Sequence, residues 1–255
     1  MREEGFEQNG RTAAGTEAVS ATRDSGGQRE QAVSGGRTDE GKGGGSNAVS
    51  CDISPAFLLD TSSKRPVAAE FWDGITQKQI DDVTNLWMPA KDQHKSKLKA
   101  TGVPRLQWPQ DLHWEWDKKV AVFSGKLAMR GFSVMAEGVT QGLMYAKTVG
   151  AAKTISEQGK PLVYIDYVEV APWNRKDFVY AEPKYSGVGS MFLKAAITLS
   201  LEEGFKGRIG LHSLPQSRNF YVKCGMTDFG ADAQKQDLHY FEITPAQAQL
   251  FLQKA

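Results

Sequence analysis

Apolar and polar positions change rhythm several times along the chain, and each change marks a predicted element. From Pro55 to Trp87 the scattered apolar residues, including Phe57, Leu58, Leu59, Phe71, Trp72, Val83 and Leu86, lie closer to a helical than to a strand pattern. Within that stretch "TQKQIDDVTNLWM" predicts a helix, with Ile80, Val83 and Trp87 at i, i+3 and i+7 and Pro89 closing it. "FSVMAEG" and "GLMYAKTVG" read as short strands separated by glycine-containing turns. "PLVYIDYVEVAP" reads as a longer strand, β-branched and aromatic between prolines. Alternation assigns Tyr164, Val168 and Val170 to one face of it and Ile165, Tyr167 and Ala171 to the other. A strand apolar on both faces belongs in the middle of a sheet.

After an irregular stretch, "SMFLKAAITLSLEEG" predicts a helix ended by Gly204, and "GRIGLHS" a strand. "PQSRNFYVKCG" is a second helix, with Pro215 in its first turn and Gly225 at its C-terminal cap. "MTDFG" and "LHYFEI" are strands, and "TPAQAQLFLQKA" is a last helix capped by Thr244. This order predicts an α/β (α+β) fold, a mixed sheet with helices packed against it.

Composition changes the picture at the N-terminus. Residues 1–50 hold one aromatic, no Leu and no Ile among Gly, Ser, Thr, Glu and Arg. Too little apolar surface is present there to offset the entropy of ordering, so 1–52 is expected to be a disordered Gly/Ser-rich tail. The remaining residues, about 200, suffice for one domain with a sizeable core. We divide them into a helical, aromatic-rich N-terminal part, 53–120, and a core with its C-terminal helix, 121–255.

No continuous apolar stretch resembles a secretory signal or a membrane span, so a cytoplasmic protein is expected. Cys51 and Cys224 suggest a reducing compartment, and the four histidines show no metal-ligand spacing. A net charge of +1 supplies no global field toward nucleic acid or membrane. "KDQHKSKLK" at 91–99 reads as a solvated helix face or loop, or else as a contact for an acidic partner or a nucleotide phosphate. Trp108, Trp114 and Trp116 read as packing residues, since no basic stripe accompanies them.

The candidate chemistry begins at "PKYSGVGSMFLKAAITLS", where a Gly-x-Gly stands between the buried strand and a helix start. Free N–H groups and the positive end of the helix dipole there would receive an anion, and a pyrophosphate would fit. A dinucleotide-binding loop would carry a third glycine where Phe192 stands, and a Walker A loop would need Gly-Lys-Ser/Thr.

"YVEVAPWNR", then "KYSGVGSMFLKAAI", then "GRIGLHSLPQSRNFYVKCGMTDFG" resembles the GNAT superfamily of N-acetyltransferases, over roughly residues 120–243. The resemblance implies a GNAT-like, mostly antiparallel central sheet flanked by helices, with acetyl-CoA as acyl donor and an amine on a small molecule, peptide or protein as acceptor. It implies that Lys184, Tyr185, Ser186, Gly187, Val188, Gly189 and Ser190 form the pyrophosphate loop. It implies further that the backbone of Val168 and Val170 pairs with the pantetheine arm, and that Tyr221 protonates the departing thiolate. The base would be Glu169 or Asp166, or a water; strict alternation sends these two carboxylates to opposite faces, and Glu169 is preferred. Either could instead be a paired structural carboxylate, and Tyr221 a packing residue. An insertion, "KDFVYAEPKYS", separates P-W-N-R from the glycines, so Arg175 is assigned to the acceptor entrance rather than to phosphate. His212 is expected to be solvated or hydrogen-bonded, and Cys224 to be a small core residue. Near-neutral charge argues against an RNA acceptor, and homodimers are common among such domains. The rival reading is a catalytically inactive acyl-CoA-binding module that acts through a partner.

Overall fold

The computed structural model describes residues 51–178 and 182–254. The expected tail lies outside them apart from Cys51 and Asp52, as does Val179–Ala181 of the insertion. β1 (Asp52–Asp60) and β2 (Pro66–Asp73) form an antiparallel hairpin. This corrects the helical reading of residues 55–73. Only Leu58 of β1 is buried, so alternation along the strand is not visible in the sequence. The turn is local: the Asp60 carboxylate accepts from the N–H groups of Ser62 and Ser63 at 3.0 and 2.7 Å.

The predicted helix forms as α1 (Gln77–Asp82), begun by a capping box between Thr76 and Gln79. It does not stop at Pro89. A π-helical turn, Val83–Trp87, leads without a break into α2 (Met88–Ala100), and Pro89 falls just after that turn. α3 (Trp116–Phe123) follows, then β3 (Met129–Ala136), β4 (Val139–Lys147) and β5 (Val163–Val170). A two-residue strand, β6 (Tyr185–Ser186), precedes α4 (Val188–Glu202). The chain ends with β7 (Ile209–Ser213), α5 (Arg218–Lys223), β8 (Thr227–Asp232), β9 (Leu238–Ile243) and α6 (Pro245–Lys254).

The nine strands make one sheet in the order β6-β1-β2-β3-β4-β5-β7-β9-β8, antiparallel except where β5 meets β7. The fold is thus mixed α/β with a largely antiparallel sheet flanked by helices. One face carries α4 and α6, packed through Phe192, Ile197 and Ala248 on Val163, Ile165 and Phe241. The other carries α1, the π-turn and α3, packed through Ile80, Trp87 and Trp116 on Leu143 and Tyr145. Among the described residues no helix is long and apolar enough to cross a membrane.

β5 departs from strict alternation. Tyr145 of β4 faces Tyr167 while Ala146 faces Ile165, so Asp166 bulges out of the ladder. Val163, Ile165, Val168 and Val170 therefore pack toward α4, whereas Tyr167 and Ala171 join the opposite cluster. Tyr164 does not share a face with Val168, as alternation had required.

Candidate active site

β5 and β7 pair over three residues, Val163 to Ile165 against Ile209 to Leu211, and then part. Beyond Ile165 no strand pairs with β5 on that side among the described residues. The Ala171 N–H donates to Gln141 of β4 at 2.9 Å. Alternation along the last turns of the strand therefore aims the N–H groups of Val170 and Val168 away from β4, toward the gap. A narrow cleft of about 30 Å³ occupies the fork, lined by Ile165, Asp166, Val168, Leu211, His212 and Tyr221.

Tyr221 is buried on α5, with its ring against Phe220 and Phe241 at centroid distances of 5.2 and 5.7 Å. Burial pushes its hydroxyl pKa up, so it holds its proton through neutral pH. Cys224, three residues further on, packs against the core, and burial raises its thiol to about 11, as suits a core residue.

The glycine loop meets this cleft through α5. Gly187 caps α4 at φ 107°, a conformation in which any side chain is strained. Helical geometry leaves the first-turn N–H groups of Val188, Gly189 and Ser190 without acceptors inside α4. Ser186 and Gly187 are exposed, and Val188 is buried. At Gly189 a Cβ would lie 2.8 Å from Cζ of Phe220, so its missing side chain lets α5 pack close against the start of α4. Tyr185 departs from expectation, because its N–H donates to Oδ1 of Asn174 at 2.9 Å and is not free for a ligand. Lys184 is ion-paired with Glu137 at 2.7 Å.

The two candidate carboxylates lie on the same side of the sheet, brought there by the bulge, but in different settings. Glu169 is 2% exposed, ion-paired with the fully buried Lys91 at 2.5 Å, and accepts from Nε1 of Trp116 at 2.6 Å. Lys91 also donates to the carbonyls of Asp111 and Trp114, at 3.5 and 3.3 Å. Burial pushes the Glu169 carboxyl up while Lys91 opposes it. Of the carboxylates named from the sequence, Asp166 is the one that lines the cleft, and Lys147 pairs with it at 2.9 Å. Lys91 thereby leaves the solvated face that "KDQHKSKLK" suggested. Arg175 is held by Asp111 and Asp177, each through a contact of 2.6 Å, and does not approach the loop.

The cleft opens beside a cavity of about 1080 Å³; Trp114, Asp166, His212 and Leu214 line both. Trp114 and Tyr167 meet edge to face at 5.1 Å, so Trp114 is a site wall as well as a packing residue. His212 bridges two partners. Its Nε2 lies 3.0 Å from the Asp232 carboxylate, which can only accept, so in the neutral ring Nε2 donates there and Nδ1 accepts a hydrogen bond from the Tyr164 hydroxyl at 2.5 Å. Burial lowers the His212 pKa and favours this neutral form.

His212 is hydrogen-bonded, one of the two states expected of it, but its partners Tyr164 and Asp232, and the roles of Lys91 and Asn174, are not visible in the sequence. Their partners lie far away in sequence, and periodicity carries no trace of them. The signal within reach was the P-W-N segment itself: Asn174 and Trp173 both donate to Oε1 of Gln141, anchoring the approach to the loop.

No known family profile matches the sequence, and no curated protein matches it. Solved structures similar to it include a GNAT-family acetyltransferase from Listeria monocytogenes, 13% identical, covering 74% of this chain and 99% of its own, with a TM-score of 0.44. PaiA N-acetyltransferase from Thermoplasma acidophilum, in complex with coenzyme A, is 10% identical over 68% of this chain and 97% of its own, with a TM-score of 0.44. RimJ from Mycobacterium smegmatis, in complex with CoA-disulfide, is 14% identical over 77% of this chain and 88% of its own, with a TM-score of 0.42.

Proposed function

We propose that this chain is a cytoplasmic N-acetyltransferase of GNAT type, taking acetyl-CoA as donor and an amine as acceptor in a ternary complex. The observation that carries the proposal is the fork between β5 and β7, where Tyr221 and Asp166 line one cleft below strand N–H groups that have no partner strand. The residues suited to the donor are Val168 and Val170 along its arm and the first turn of α4, from Gly187 to Ser190, at its pyrophosphate. When bound, the thioester supplies an activated acetyl group.

The amine nitrogen bonds to the acetyl carbon as the carbon–sulfur bond breaks, and the ammonium gives up two protons in all. Asp166, or a water it orients, takes one and frees the lone pair; the other reaches the thiolate by way of Tyr221. Tyr221→Phe is expected to lower turnover about 10²-fold with little change in acetyl-CoA affinity. Gly187→Asp is expected to weaken that affinity. Thiol release over an amine panel, with calorimetry for binding, measures both. Full turnover in both variants sinks the assignment.

The second reading, an acyl-CoA-binding module without chemistry, is favoured by one observation. Both β5 carboxylates are ion-paired, to Lys91 and Lys147. Tight acetyl-CoA binding with no thiol release for any acceptor would establish it.

A further inference from the structure

The large cavity beside the cleft is unbalanced in charge. Lys95, Arg105, Lys118, Lys119 and Lys235 line it against Glu115 and Asp166. Lys118 is neutralised by Glu115 at 2.6 Å, Lys95 by Asp92 at 2.9 Å, and Asp166 pairs with Lys147 outside the lining. Among the described residues no carboxylate lies within ion-pair distance of Arg105, Lys119 or Lys235. A protein of near-neutral net charge has thus gathered surplus cations in one concavity.

Lys119 is the informative one. Its ammonium stands 3.4 Å over the ring of Tyr167 and 4.7 Å from that of Trp114, half-withdrawn from water on the wall of the cavity. Burial pulls its pKa down to about 8. Glu169 and Asp166 act on this cation only from beyond ion-pair distance, each already paired with another lysine, so it is compensated in part by them and by the ring quadrupoles, and an anion arriving from the cavity would complete the shell. Tyr167 is also the residue after Asp166, so the place for an anion lies about one side chain from the place for the amine. The rest of the wall sets apolar and aromatic side chains, Trp108, Phe123, Leu112 and the 97% exposed Leu106 among them, beside the polar Gln110, His113 and Gln236.

We propose that the acceptor is an amine that bears an anionic group a few atoms away, on an aromatic body, as in an aromatic amino acid. Lys119 receives the anion, Arg105 and Lys235 add to the field that draws it in, and the aromatic walls hold the ring. The proposal rests on the acetyltransferase reading, but it can be tested without turnover.

Calorimetry on the full chain with CoA present would compare N-acetylphenylalanine with N-acetylphenylalaninamide, which has nearly the same shape but a neutral carboxamide in place of the carboxylate. The acid is expected to bind about tenfold more tightly, the worth of one charge-assisted hydrogen bond. Lys119→Gln should abolish that preference, and Lys119→Arg should keep it. Thiol release with phenylalanine, its phosphonate analogue, phenylalaninamide and phenethylamine then tells which anion is taken and whether the ring suffices. Equal binding of acid and amide, binding of neither at millimolar concentration, or a preference that survives Lys119→Gln overturns the proposal. Acid-selective binding with no thiol release from any amine overturns the acetyltransferase reading and leaves the anion site standing. Thiol release without acid preference does the reverse.

Discussion

Lys91 and Glu169 are both withdrawn from water, and each depends on the other and on Trp116 and two carbonyls for compensation. Stripping either ion of its partner leaves a buried charge, at a cost of about 3–5 kcal/mol, whereas replacing both by apolar groups can be nearly neutral. Lys91→Met should therefore lose roughly that much stability in urea unfolding, and Lys91→Met with Glu169→Leu should regain most of it. The single variant carries a pH signature. With its cation gone, the folded-state pKa of Glu169 rises further above the unfolded value of about 4.3, so stability is present below that pH and lost as pH rises through the folded value. The deficit in Lys91→Met should accordingly be larger at pH 8 than at pH 5. A deficit independent of pH would mean that Glu169 does not depend on Lys91. Because Glu169 is locked in this way, Asp166→Asn rather than Glu169→Gln is expected to lower turnover per folded molecule, as thiol release would register.

At the scale of elements, α4 sits where it does because β4 yields to it. A Cβ on Gly142 would lie 2.5 Å from Cγ1 of Val188 and 2.6 Å from Cε2 of Phe192. Gly142→Ala should cost about 1–3 kcal/mol by overpacking, and Phe192→Leu added to it should recover part of that; additive losses in urea would show that the two do not touch. How far such elements were legible follows from what their residues face. α4, β5 and β9 were readable because each buries a dense apolar face. β1 was not, since its place near the end of the sheet leaves Phe57 68% exposed and only Leu58 buried. The bulge at Asp166 was invisible because it is set by register against β4, and it moved both carboxylates to one side. The close contact of Gly189 with Phe220 is one between helices, and no local pattern encodes it.

The two apolar clusters share the strands between them: on β4, Met144 and Ala146 belong to one and Leu143 and Tyr145 to the other. Loss of either layer would expose the far side of strands that the other still needs. The layers should therefore unfold together, in spite of the three-residue pairing between β5 and β7. The tryptophans offer a direct check. Trp87, Trp116 and Trp173 lie in the cluster of α1, the π-turn and α3, and none lies in the α4 and α6 cluster. Tryptophan fluorescence thus follows one face, while far-ultraviolet circular dichroism follows helices on both. Their urea midpoints are expected to agree within about 0.2 M. A fluorescence transition well ahead of the dichroism would mean that the face carrying the large cavity opens first. Acetyl-CoA would then stabilise only the second transition, because the β5–β7 fork and the first turn of α4 would outlast the cavity beside them.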